Sequence, residues 1–354
     1  MKRTGQSAAG TLRILLILIV AMAAGAVIIL LIGQNPLDAY GALLKGAFSG
    51  KRNLGTTLAN FTPLLLTGMA FAIASKAGAF NVGVEGEVFL GGIAAAWVGI
   101  NVSGLPAYAH LLLCFAAATA AGALWAIIPA VLKAYYKVNE ICVTILMNYV
   151  ALFITSYLVT GPMSAGVANA QSLPVLVTLN QFMKPSSVNT GIFIALALSV
   201  GLILMMNKTR LGFKIRMAGT NPMFAEYAGI DPKEILVKTM MISGGIGGIA
   251  GCIEILGVHG YFLNNFASGL GSNGMLAALI VKNDLALVPF MAMFLAVLKS
   301  GAMGMQQTTG VPKSIVDTIT ALFIIFATME TLFTFNRVRL PKVNDNRAVK
   351  GVLK

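Results

Sequence analysis

The chain has 354 residues, 57% of them hydrophobic and 10% charged, with a formal net charge of +13. That charged fraction is about half that of an ordinary soluble domain, so the two or three soluble domains that length alone suggests give way to a polytopic membrane protein. The basic excess does not point to nucleic acid, because the lysines and arginines lie in the stretches between apolar runs.

Ten apolar segments are predicted as transmembrane or re-entrant helices of an all-α protein: 12–33, 58–75, 86–100, 109–132, 141–160, 191–206, 235–256, 273–282, 285–300 and 314–335. The first follows Lys2, Arg3 and Arg13 and contains a signal-like AMA at 21–23. Its uncharged run from Ile14 to Ile32 exceeds a signal core of about 7–15 residues, so it reads as a retained span. With both termini cytoplasmic, 19 of the 25 basic residues fall on the inner side, leaving Lys45, Lys51, Arg52, Lys184, Lys299 and Lys313 outside. The positive-inside rule favours that orientation and an even number of crossings. The expected organisation is one transmembrane domain, 1–354, with a cytoplasmic N-terminus (1–11), a membrane region (12–335) and a basic cytoplasmic tail (336–354).

The second and third segments flank SKAGAFNVGVEGEVFLGG, residues 75–92. From Val88 to Ile100 a helix would rise only about 20 Å against a hydrocarbon core of about 30 Å, so residues 77–87 are expected partly at membrane depth. Irregular backbone survives there only inside protein or beside a water-filled cavity. A buried break between two half-helices is predicted, with Glu85 and Glu87 near the N-terminus of the second, where free N–H groups and the helix dipole favour negative charge. Either the two carboxylates stabilise the break and pair with Lys76, or they touch substrate or a moving gate.

Cys114, Cys142 and Cys252 fall inside predicted spans as small apolar side chains, with no disulfide or metal spacing. His110 and His259, at predicted outer edges, have no metal-ligand partner at helical spacing and read as interfacial or loop side chains. Asn148 is a candidate polar contact to a neighbouring helix.

Residues 207–234 form the longest predicted cytoplasmic loop. Within it Asn221 can cap a two-turn helix starting at Pro222 and ended by Gly229. Met223, Phe224 and Tyr227 share one face of that helix, suited to a partner's groove, to the protein's own loops or to the membrane interface. In the next span, GIGGIA at 245–250 matches a dinucleotide-binding pattern but has no strand before it. Gly244 with Gly248, and Gly247 with Gly251, instead give small-xxx-small spacings for close helix packing. Glu254, towards the outer end of that span, is placed to line an entrance or bond a neighbouring helix.

Residues 259–284, HGYFLNNFASGLGSNGMLAALIVKND, again join glycines and asparagines to an apolar run too short to span comfortably. Two interrupted segments in two halves suggest an inverted structural repeat with a pathway between the halves, although no residue-by-residue repeat is visible. Asp317 and Glu330 are expected to cap or pair near helix ends. The candidate pathway or gate residues are therefore Asn81, Glu85, Glu87, Glu254, Asn264 and Asn273.

AFNVGVEGE at 79–87, AGTNPMFAEYAGI at 218–230 and GSNGMLAALI at 271–280 resemble the permease subunits of bacterial ABC importers of the branched-chain amino acid, ribose and nucleoside group. The likeness runs from about residue 55 to 335, and the first motif is most similar to the nucleoside type, linked to basic membrane protein lipoproteins. The resemblance implies that 219–230 is the coupling helix docked on a cytoplasmic ABC ATPase, with Gly219, Asn221, Pro222, Ala225, Tyr227, Ala228 and Gly229 matching the motif and Met223 and Phe224 at its variable positions. It also implies a second permease, homologous or identical, an extracytoplasmic substrate-binding lipoprotein, a nucleoside-like solute and a location in the bacterial cytoplasmic membrane. No G-x-x-x-x-G-K-[ST] occurs in the chain. ATP is thus expected on a partner subunit, with no cofactor bound by this chain and no enzymatic activity of its own.

The expectation is an alternating-access importer of small polar solutes. An ion-coupled secondary transporter using the buried carboxylates, or an ABC importer of sugars or amino acids, are the alternatives. No nucleophile, base or metal set marks an intramembrane enzyme.

Overall fold

The computed structural model describes residues 19–328. The expected cytoplasmic termini, 1–11 and 336–354, and Glu330 lie outside the described residues.

Each of the ten apolar segments coincides with a helix: α1 (Ile19–Leu31), α3 (Gly50–Lys76), α4 (Val84–Asn101), α5 (Ala107–Tyr136), α6 (Glu140–Thr160), α7 (Gly191–Lys208), α10 (Pro232–Ile253), α11 (Leu270–Ile280), α12 (Val288–Thr309) and α13 (Lys313–Thr328). Three more helices intervene: α2 (Pro36–Phe48), α8 (Arg210–Thr220) and α9 (Pro222–Tyr227). Six of the described helices are long and apolar enough to cross a bilayer, seven if α1 and α2, bent by 116° at their junction, count as one span. The protein is an all-helical polytopic membrane protein.

The sequence missed α2 because its apolar residues are interrupted by Asp38 and Lys45. Asn35 starts it, its side chain accepting from the Leu37 N–H, and Gly33, at φ 79°, turns the chain between α1 and α2. The half-helix expectation is also corrected. α3 has 27 residues and α4 has 18, about 27 Å of rise, because α4 begins at Val84 rather than Val88. Lys299, expected on the outer side at the end of the 285–300 segment, sits in the middle of α12, which runs nine residues past the predicted end.

At the centre α10 packs on α3, α4 and α5. In α3, 83% of the most apolar window is buried, against 22% in α5 and in α6, so the latter two supply lipid-facing surface. Lipid tails are as apolar as leucine, so helix association here depends on close packing of small residues. The two glycine pairs of α10 serve two neighbours. Gly244 and Gly248 meet Gly122 and Ala118 of α5, and Gly247 and Gly251 meet Glu87 and Val88 of α4. GIGGIA is a packing seam inside a helix.

Past Ile253, α10 continues as a π-helix, Glu254–His259. Its carbonyls take donors from the 161–190 loop: Leu179 N–H donates to Leu256 O, Gln181 Nε2 to Gly257 O and Val175 N–H to Gly260 O, the residue just beyond the π turn, each at 2.8–2.9 Å. The loop thereby satisfies polar backbone that an α-helix would have satisfied internally.

Candidate functional site

The stretch expected as a cytoplasmic loop is mostly helix. Thr209 caps α8 through the Gly212 N–H, and Asn221 caps α9 through the Phe224 N–H at 3.0 Å. Pro222 stands in the first turn of α9, where its missing N–H has no role, and Gly229, at φ 74°, ends the turn. Ala225 is fully buried, whereas Met223, Phe224 and Tyr227 are 68%, 53% and 85% exposed. The anchored side of α9 is thus alanine, and its free side is large and apolar.

Gly219 joins this helix to the membrane region. A Cβ there would overlap the Lys76 carbonyl oxygen and stand 2.8 Å from its carbon, and Gly78 lies opposite. The α8–α9 corner therefore sits directly on the start of the break, residues 77–83. The same end is clamped by Lys133 of α5, which bonds the Gly78 carbonyl and pairs with Glu140 of α6, while Glu140 accepts from the Phe80 N–H at 3.3 Å.

The break turns back into the protein. Asn81 is fully buried; its Nδ2 donates to Glu87 Oε1 at 2.8 Å and Ser243 Oγ at 2.9 Å, and its Oδ1 accepts from the Gly83 N–H. Ser243 in turn donates to the Ala70 carbonyl of α3. Asn148 of α6 donates to the Val82 carbonyl and accepts from the Gly86 N–H at 2.8 Å, satisfying a donor in the first turn of α4 that has no partner within the helix. Glu87 is 1% exposed, and its Oε2, without a partner among the described residues, faces Gly247.

Glu85 connects the two interrupted segments. Its Oε1 accepts from the Gly269 N–H at 3.1 Å and its Oε2 from Ser272 Oγ at 3.3 Å, at the N-terminus of α11. Two helix N-termini, each a partial positive charge, thus converge on one carboxylate. Neither Glu85 nor Glu87 takes Lys76 as the bonding partner considered from sequence. Residues 260–269 approach this point along α4, with Phe266 edge-on to Phe89 and against Gly92. Thr67 of α3 bonds the Leu270 carbonyl, and Gly68 faces Gly274.

The remaining candidates do not join this cluster. Asn264 bonds through its backbone to Ala170 at the loop end, with its Oδ1 buried. Glu254, nearly buried, opens the π-helix within electrostatic reach of Lys299. Asn273 lines a cavity of about 110 Å³ with Lys299 and Asp317. His110 is a buried helix–helix tie to the Val98 carbonyl rather than a loop side chain. Sequence reasoning missed Ser243 and the Lys133–Glu140 clamp, since nothing in the spacing aligns α5, α6 and α10 with the break. Asn148 was legible only as a polar residue in a span.

The family described as the permease component of the branched-chain amino acid transport system matches residues 53–329. The guanosine ABC transporter permease protein of Bacillus subtilis is 36% identical, over 94% of this chain and 97% of its own length. A glucose ABC transporter permease protein of Haloferax volcanii is also 36% identical, over 91% and 88%. A nucleoside ABC transporter permease protein of Lactococcus lactis is 31% identical over 93% of each. No solved structure matches the chain.

Proposed function

The chain belongs to the branched-chain amino acid transport system permease family, an integral plasma-membrane permease subunit of an ABC importer, and from that footing we propose that its solute is a nucleoside. Two of the three relatives above are named for guanosine or nucleosides. The glucose-named relative marks a sugar as the competing solute, sharing with a nucleoside an uncharged, hydroxyl-bearing ring.

The observation that carries the mechanism is the seating of α9. Its apolar side is exposed, and its base rests through Gly219 on the 77–83 break. In this reading a cytoplasmic ATPase grips Met223, Phe224 and Tyr227, and closure of two ATPases around ATP moves α9 as a lever. The push reaches Lys76–Gly78, then the Asn81–Glu87–Ser243 bonds, then Glu85 and α11. A binding lipoprotein delivers solute at the opposite end, and a second permease completes the pathway. Glu85 and Glu87 act here as struts that bind two helices to the break, and the energy source is ATP rather than an ion gradient.

The test is uptake of radiolabelled guanosine by cells expressing the assembled importer. Uptake that is suppressed by unlabelled adenosine, unaffected by excess glucose and insensitive to a protonophore at constant ATP supports the reading. Suppression by glucose but not adenosine replaces the nucleoside with a sugar, and collapse with the proton gradient replaces ATP coupling.

A further inference from the structure

Lys299 is the twelfth of the 22 residues of α12, so it stands about 15–16 Å from either end of that helix. It is exposed, and so is Asp317 on α13. The two share the wall of the 110 Å³ cavity with Asn273 of α11 and Thr320, over a floor of leucines that includes Leu64. Glu254 and Asp317 are the acidic groups within electrostatic reach of Lys299, and Lys313 is the basic one.

A charge at this depth costs about 2.5–3.5 kcal/mol or more when it faces lipid. Helices α5, α6 and α7 are built differently. On α5, α6 and α7 the exposed positions between the terminal turns are Leu, Ile, Val, Phe and Tyr among small residues, with no Asp, Glu, Lys or Arg. The face carrying Lys299 and Asp317 therefore meets water or polar protein. α12 also borders a second cavity, of about 600 Å³, against α2 and α3, where Asp38, Arg52, Ser300 and Gln307 are among the lining residues. Ser300 and Lys299 are consecutive on α12, so one helix carries polar wall from near its end to its middle.

We infer that the α11–α12–α13 face is the wall of the aqueous solute pathway, with Lys299 and Asp317 as its polar contacts to a neutral hydroxyl-bearing solute. An ammonium donates to ring nitrogens or carbonyls, and a carboxylate accepts from hydroxyls, so the pair suits a nucleoside without needing solute charge. The cavity is smaller than the roughly 300–1,000 Å³ of a complete ligand site. It is half a site, and the second permease supplies the facing wall. This inference rests on the importer reading for its solute but not for its claim about the face.

The test uses the assembled importer in sealed vesicles, with exposed Cys142 replaced (Cys142→Ser) so that the background thiols, Cys114 and Cys252, are buried. Lys299→Cys, Asp317→Cys, Thr320→Cys and, as the lipid-facing control, Leu146→Cys are treated with the charged reagent sulfonatoethyl methanethiosulfonate and separately with N-ethylmaleimide. A thiol in water ionises more readily than one in apolar surroundings, so labelling of the α12 and α13 positions by the charged reagent at about tenfold or more the Leu146→Cys rate is expected. Guanosine should slow it. Labelling by N-ethylmaleimide alone, or by neither reagent, at all three positions overturns the inference, whichever variant retains transport. Labelling slowed by glucose and not guanosine leaves the face assigned and refutes the nucleoside.

Discussion

Phe224→Asp tests the lever at its contact point. Phe224 leaves 53% of its surface exposed in this chain, the part available to a partner. Complete burial of a phenylalanine side chain is worth about 1.5–3 kcal/mol, so the lost apolar contact accounts for roughly 1 kcal/mol. An aspartate desolvated without a partner in the same groove adds about 1–3 kcal/mol. Together, about 2–4 kcal/mol weakens ATPase binding roughly 30- to 1,000-fold. The helix itself should survive, because Phe224 is the third residue of α9 and its N–H is capped by Asn221. A carboxylate in the first turn is favourable to the dipole. The assay is mass spectrometry of chains co-purifying in mild detergent, wild type beside variant, with equal membrane insertion verified. Undiminished ATPase recovery with the variant would refute the assignment of α9 as the docking element.

Gly248→Leu should lower the thermal stability of the detergent-solubilised protein by about 1–3 kcal/mol or more, because its Cβ would overlap the Ala118 carbonyl oxygen and backbone cannot step aside; Gly201→Leu, on an open surface of α7, is the control and should not lower the melting temperature, since leucine is the better helix former. Asn148→Leu leaves the Val82 carbonyl and Gly86 N–H without their partners, about 1–3 kcal/mol each; faster hydrogen exchange at the start of α4 should report it, and unchanged exchange would mean other groups satisfy the break.

The ten apolar segments, the start and stop of α9, the glycine seam of α10 and an interruption between α3 and α4 were all legible in the sequence, because each follows from local rules. Apolar length sets a span, Asn–Pro and Gly set a short helix, and small residues at a spacing of four set one face. What the break and α11 do to each other was not legible. Glu85 and Gly269 are far apart in sequence, and only the packing of α3, α4 and α11 brings the carboxylate to that N–H. Lys299 was misplaced for the same reason. Read locally, a lysine at the end of an apolar run is a boundary, and only the continuation of α12 through Gly301 and Gly304, packed on Leu43 and Gly46 of α2, puts it at mid-helix. The sequence by itself determined a polytopic membrane protein with a short capped helix at 222–227, since hydropathy and capping are properties of neighbouring residues, and its resemblance to ABC importer permeases supplied the family. Which polar groups meet, and which face carries charge at mid-helix, depended on contacts between helices, and those form only once the bundle has packed.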